Sequence, residues 1–90
     1  MELSKLILQE VLTERLRQNN KWGIQDHSLM IWLGILAEEF GEVAKEINEI
    51  HFRVGDIENT RKELIETAAV AVAMVECIDR HNMEVENGTI

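Results

Sequence analysis

From Leu64 to Ile78 the chain places Leu, Ile, Ala, Val, Met and Cys on every side of a helix, interrupted only by Glu66, Thr67 and Glu76. A helix that is apolar nearly all round has to be buried among others. Ninety residues make one domain at most, and so short a chain buries little core unless it borrows surface from a second copy. The pattern therefore predicts an all-α helical bundle completed by subunit association. It also raises a question about Glu66, because an unpaired carboxylate in such surroundings must be protonated, paired with a base or bound to a metal.

The rest of the chain agrees with the all-α class. Proline is absent, and no stretch alternates β-branched or aromatic residues with polar ones for long. Leu3, Leu6, Ile7, Val11, Leu12 and Leu16 form one stripe and predict a first helix over about 3–20, stopped by Asn19, Asn20 and Gly23. Ser28 can cap a second helix over about 28–51, with the stripe Leu29, Trp32, Leu33, Leu36, Phe40, Val43, Ile47 and Ile50. Thr60-Arg61-Lys62-Glu63 has the capping-box form and predicts a third helix over about 60–80. Residues 1–81 read as one helical domain, and 82–90 as a polar tail that frays or folds over a neighbour.

Charge narrows the partners. A formal net charge of -8 repels both a nucleic-acid polymer and an anionic membrane; its natural complement is a metal ion or a basic surface. The start MELSKLILQE lacks the long apolar centre of a signal peptide, and the apolar stretch from Leu64 to Val75 is too short to span a bilayer. With a single cysteine, Cys77, read as a core residue, the chain is expected to be soluble and cytoplasmic.

Within the second helix, LAEEFGEVAKE carries Glu38, Glu39, Glu42 and Glu46. At 100° per residue, with Leu36 as the centre of the stripe, Glu39 lies about 60° away, Glu42 about 120° and Glu38 about 160°, on the flank of Ile35 and Ile31. Gly34, Ala37, Gly41 and Ala44 line the opposite flank and would let another helix approach closely. Glu39 and Glu42 are spaced i, i+3, as are Glu63 and Glu66, so each helix can offer two carboxylates to one point. Four convergent carboxylates make a hard site suited to magnesium or manganese. The blander readings are specific too: Glu63 closing the capping box, Glu38 and Glu42 solvated, Glu46 and Glu49 ordinary surface charges.

Glu38-Glu39-Phe40-Gly41-Glu42, followed after twenty residues by Glu63-Leu64-Ile65-Glu66, resembles the EExxE, spacer, ExxD signature of MazG-like all-α nucleoside triphosphate pyrophosphohydrolases. KWGIQDH, ahead of the second helix, looks like the approach to that signature in single-domain members. The resemblance covers about Arg15 to Val75, and it departs at Glu66, where the family usually has aspartate. It implies cleavage of a nucleoside triphosphate to the monophosphate and pyrophosphate, in the clean-up of nucleotide pools. It implies magnesium or manganese held by Glu39, Glu42, Glu63 and Glu66, and a dimer or tetramer. Glu38 is then the candidate for orienting or deprotonating the attacking water, or for helping a second metal.

A nucleobase is recognised by stacking and by a few hydrogen bonds. Trp22, Gln25 and His27 suit that task, and Lys21 could meet a phosphate, although Trp22 can equally be a packing anchor and His27 a helix-start residue. Two other classes stand beside the enzyme. One is a non-catalytic helical module for nucleotide binding or protein interaction, favoured by Glu66 in place of aspartate. The other, a di-iron bundle, needs a histidine three residues after a core glutamate; Lys45 follows Glu42 and Ala69 follows Glu66 at that spacing.

Overall fold

A computed structural model describes residues 2–86 and contains three helices, α1 (Leu3–Trp22), α2 (Leu29–His51) and α3 (Ile57–Glu86). No strand occurs among the described residues. The chain is an all-α bundle, as the periodicity predicts, and no described helix is long and apolar enough to cross a membrane. α3 continues about six residues past its expected end into the segment read as a tail; residues 87–90 lie outside the described residues.

The helix ends have local causes. Gly23, at φ 74, donates its N–H to the Asn19 carbonyl at 2.8 Å and stops α1. Ser28 caps α2, its hydroxyl accepting the Ile31 N–H at 3.3 Å. α2 closes through a tight turn in which Val54 and Gly55 both donate to the Glu49 carbonyl. The start of α3 corrects the expected capping box. Asp56, not Thr60, supplies the cap, its carboxylate accepting the Glu58 N–H at 2.9 Å, and Thr60 is buried inside the first turns. An aspartate four residues earlier satisfied the free amide, so the helix began before the Thr-x-x-Glu sequence was reached.

α3 packs against both α1 and α2, which do not pack directly on each other. The core lies chiefly between α2 and α3, where Trp32 meets Val70, Ala73 and Cys77, with Ile35, Leu36 and Met74 against them. Ala69 and Ala73 are buried and small, which leaves room for the indole. On the other side Val11 is the buried anchor of α1, and ion pairs tie α1 to α3: Arg15 to Glu76 at 2.8 Å, and Arg61 to Glu10. The molecule measures 54 × 34 × 22 Å, about two helix diameters in its thinnest direction.

The α2 stripe is rotated from its expected setting. Trp32, Ile35, Leu36, Glu39, Val43, Ala44, Glu46, Glu49 and Ile50 are the buried or half-buried positions, whereas Leu29, Leu33, Phe40 and Ile47 are exposed. The centre of the buried side therefore sits about 40° from Leu36 toward Glu39. That rotation moves a glutamate from the margin of the stripe into the side facing α3.

Candidate functional site

Glu39 on α2 meets Glu63 and Glu66, which lie one turn apart on α3. An oxygen from each lies within 4.8 Å of the other two, and all three residues are half-buried. One oxygen of Glu39, Oε2, is buried without a hydrogen-bond partner. Four of the five arginines are engaged elsewhere: Arg15 with Glu76, Arg17 with Glu14, Arg61 with Glu10 and Arg80 with Asp26. Arg61, two residues before Glu63, thus pairs with α1 and not with the acid beside it.

This crowding shows in the titration of the acids. Burial pushes the Glu39 carboxyl above the usual glutamate range, and the charges of Glu66, Glu38, Glu42 and Glu14 push the same way. Glu63 is raised by burial first, then by the charge of Glu66 and a hydrogen bond with it, then by Glu39 and Glu42. In effect the fold holds proton affinity in reserve, and a cation can satisfy it instead.

The donor set fits a hard divalent ion. Oxygens bound to one octahedral magnesium lie roughly 2.9–4.2 Å apart, for bonds of about 2.0–2.1 Å, so a group spanning at most 4.8 Å needs only small side-chain adjustments to close. Glu66 contributes one oxygen to the group. Glu42 and Glu38 lie outside the group and are exposed, though both act on Glu39 through their charge. Glu46 corrects a sequence expectation: it is half-buried and its Oε2 is buried and unpartnered, not a plain solvated charge.

Beside the acids opens a cavity of about 280 Å³, close to the lower end of ligand-pocket sizes of about 300–1,000 Å³. Glu39 and Glu66 lie at its wall, and Trp32, Ile35 and Val70 give it apolar surface. Trp22 and Gln25 line it as well. Lys21 does not, but its ammonium sits 4.7 Å from the Trp22 ring centroid. His27 is placed differently, packing its ring edge-on against Trp32 at 4.9 Å between centroids.

The last turns of α1 contribute residues the sequence reading passed over. Arg15, Arg17, Gln18 and Asn19 line the cavity. Arg15 is held in place by Glu76, Gln18 and Asn19 at 2.8, 2.8 and 3.0 Å. Their i, i+3 and i, i+4 spacing in RLRQNN was a visible signal, but Asn19 and Asn20 served there only as stop signals. A second, more open depression of about 510 Å³ shares Glu14, Arg17 and Glu66 with the cavity and adds Arg61 and Lys62. Glu10 and Glu58 line it too, and its arginines are paired with glutamates, Arg17 with Glu14 and Arg61 with Glu10.

Neither a family model, nor a curated protein, nor a solved structure matches this chain. Function has to be read from the chemistry of the site itself.

Proposed function

We propose that this chain is a MazG-like nucleotide pyrophosphohydrolase, dependent on magnesium or manganese, that cleaves a ribo- or deoxyribonucleoside triphosphate to the monophosphate and pyrophosphate. The observation that carries the reading is the convergence of Glu39, Glu63 and Glu66 within 4.8 Å, two of which, Glu39 and Glu66, line a cavity shared with Trp22, Gln25 and two arginines. Carboxylates alone would repel a triphosphate. A divalent cation between them would offset most of that charge, and the chemistry supplied by a bound magnesium is charge neutralisation, polarisation of the phosphorus and a lowered pKa for water.

Each side chain then has a defined task. Glu39, Glu63 and Glu66 would hold the ion, with Glu42 near enough to join when its exposed side chain turns inward. Glu38 would orient or deprotonate the attacking water. Trp22, 52 % exposed, offers a ring face to a base, and Gln25 offers an amide for its edge. Arg17 borders both depressions and would meet the phosphates, with Lys21 adding positive charge beside Trp22. His27 would act on the substrate indirectly, by fixing the Trp32 ring. A reducing compartment such as the cytoplasm suits the free, buried Cys77, and a homodimer or homotetramer would cover the exposed faces of α1 and α2.

The second reading is a nucleotide-binding or protein-interaction module without turnover; Glu42 standing outside the three-carboxylate group favours it. A panel of nucleoside triphosphates incubated with magnesium or manganese separates the two. Monophosphate with pyrophosphate is the expected result. Diphosphate with phosphate contradicts the mechanism, and binding without turnover supports the module. In the same assay Glu39→Gln should remove turnover while circular dichroism reports an intact helical fold.

A further inference from the structure

Away from the glutamates, a second set of metal-ligating side chains converges where the segment between α1 and α2 crosses α3. Cys77 and His81 stand one helical turn apart on α3, the i, i+4 spacing that points two side chains the same way. Asp26 faces them from the connecting segment, and a ligand atom from each of the three lies within 4.8 Å of the others. The Asp26 Oδ1 to His81 Nε2 distance is 3.9 Å. On a tetrahedral zinc, with bonds of about 2.0–2.3 Å, the atoms of one sulfur, one nitrogen and one oxygen ligand sit roughly 3.3–3.5 Å apart, so the three groups need to close by up to about 1.5 Å.

We propose that Asp26, Cys77 and His81 form a second cation site, for a thiophilic divalent ion of the zinc type, which pins the 23–28 segment onto α3. The donor set is sulfur, nitrogen and oxygen, which selects zinc over magnesium, whereas the all-oxygen glutamate group selects the reverse. Access is provided on two sides, since the side chains of Asp26 and His81 are about half exposed while Cys77 is buried. Arg80 donates twice to Asp26, from Nε at 3.0 Å and from a terminal nitrogen at 2.7 Å, and both bonds go to Oδ1. The guanidinium thereby fixes the Asp26 carboxylate beside His81, the outer-shell role typical of metal sites.

The step balances simply. The thiol of Cys77, now directed at the His27 carbonyl at 3.7 Å, loses its proton to solvent. Bonds from the thiolate, the imidazole nitrogen and the carboxylate oxygen form to the ion, with water at a fourth position. A pin at this point bears on the cavity, because Arg80 also holds the Gln25 carbonyl at 3.2 Å and Gln25 lines the cavity wall.

Cobalt(II) added to the full chain tests this. One equivalent should produce a near-ultraviolet thiolate-to-cobalt charge-transfer band that zinc bleaches, and the glutamate group, having no sulfur, cannot give it. Cys77→Ser should lack the band. His81→Ala keeps the core cysteine and its folding can be verified by circular dichroism. It should bind cobalt more weakly, by no less than the roughly tenfold that follows loss of even an outer-shell partner. Absence of the band in the wild-type chain, or cobalt affinity unchanged in His81→Ala, overturns the proposal. Neither result bears on pyrophosphohydrolase activity.

Discussion

Glu39 and Glu63 have their carboxyls held above the ordinary range, first by burial and then by neighbouring carboxylates. In the unfolded chain both return to ordinary values, so the folded state binds their protons more tightly. Their contribution to stability is complete below the unfolded value and is lost as pH rises through the folded one. Glu14 and Asp26 run the other way: Arg17 and Arg80 hold them below the ordinary range, so their contribution is lost as pH falls through those lower values. Without divalent ions, thermal stability should therefore rise as pH is lowered from neutral toward the ordinary glutamate range, then fall as the depressed carboxylates protonate. Magnesium at about 100 times its Kd should add about 2.7 kcal/mol at neutral pH and flatten the upper limb. Melts followed by circular dichroism, with and without chelator, check both statements. Glu39→Gln should raise the metal-free midpoint and remove the response to magnesium; an unaltered magnesium response in that variant places the ion elsewhere.

Much of each helix was legible, and the misreadings have physical causes. The three helices follow from apolar spacing, the Ser28 cap and the Gly23 stop, all of them local. The orientation of α2 did not follow, because its apolar positions span two faces: one packs on α3 through Trp32, Ile35 and Leu36, while Leu33, Phe40 and Ile47 remain exposed. A wheel averages such faces and places its centre between them, which put Glu39 at the margin. Pairing across helices was equally hidden, since nothing in the order of residues says that Arg61 reaches Glu10 or that Asp26 reaches Cys77. The turn between α2 and α3 carries a prediction of its own. A Cβ on Gly55 would lie 2.7 Å from the Ile50 nitrogen and 2.9 Å from the Glu49 carbonyl carbon, both backbone atoms with no freedom to move aside. Gly55→Ala should thus destabilise the fold by about 1–3 kcal/mol, read from the urea midpoint, and a midpoint equal to wild type would mean that the turn relaxes.

At the scale of the molecule, the open arrangement leaves much surface uncovered. The chain exposes 6792 Å², whereas a monomer of 10.4 kDa ordinarily exposes about 5,400 Å². Its radius of gyration is 15.5 Å, against about 12 Å for a compact domain of this length. Leu33, Phe40 and Ile47 recur every seven residues along α2 and are 54 %, 66 % and 51 % exposed, so they stand on one face of the helix. Gly34 and Gly41 have open space where a Cβ would stand. In an isolated chain, Gly41→Ala should stabilise α2 by about 0.8–1.0 kcal/mol through helix propensity alone. In an assembly whose second copy lies against that glycine, the same methyl group would separate the helices and weaken association. Phe40→Lys places a charge on the exposed stripe, on the side of α2 away from Glu39, and should yield monomers with unchanged helix content. Sedimentation equilibrium of the three proteins over a hundredfold concentration range distinguishes these cases. The expected order of association is wild type, then Gly41→Ala, then Phe40→Lys; a wild-type chain that stays monomeric throughout would show that the exposed stripe is not used for self-association.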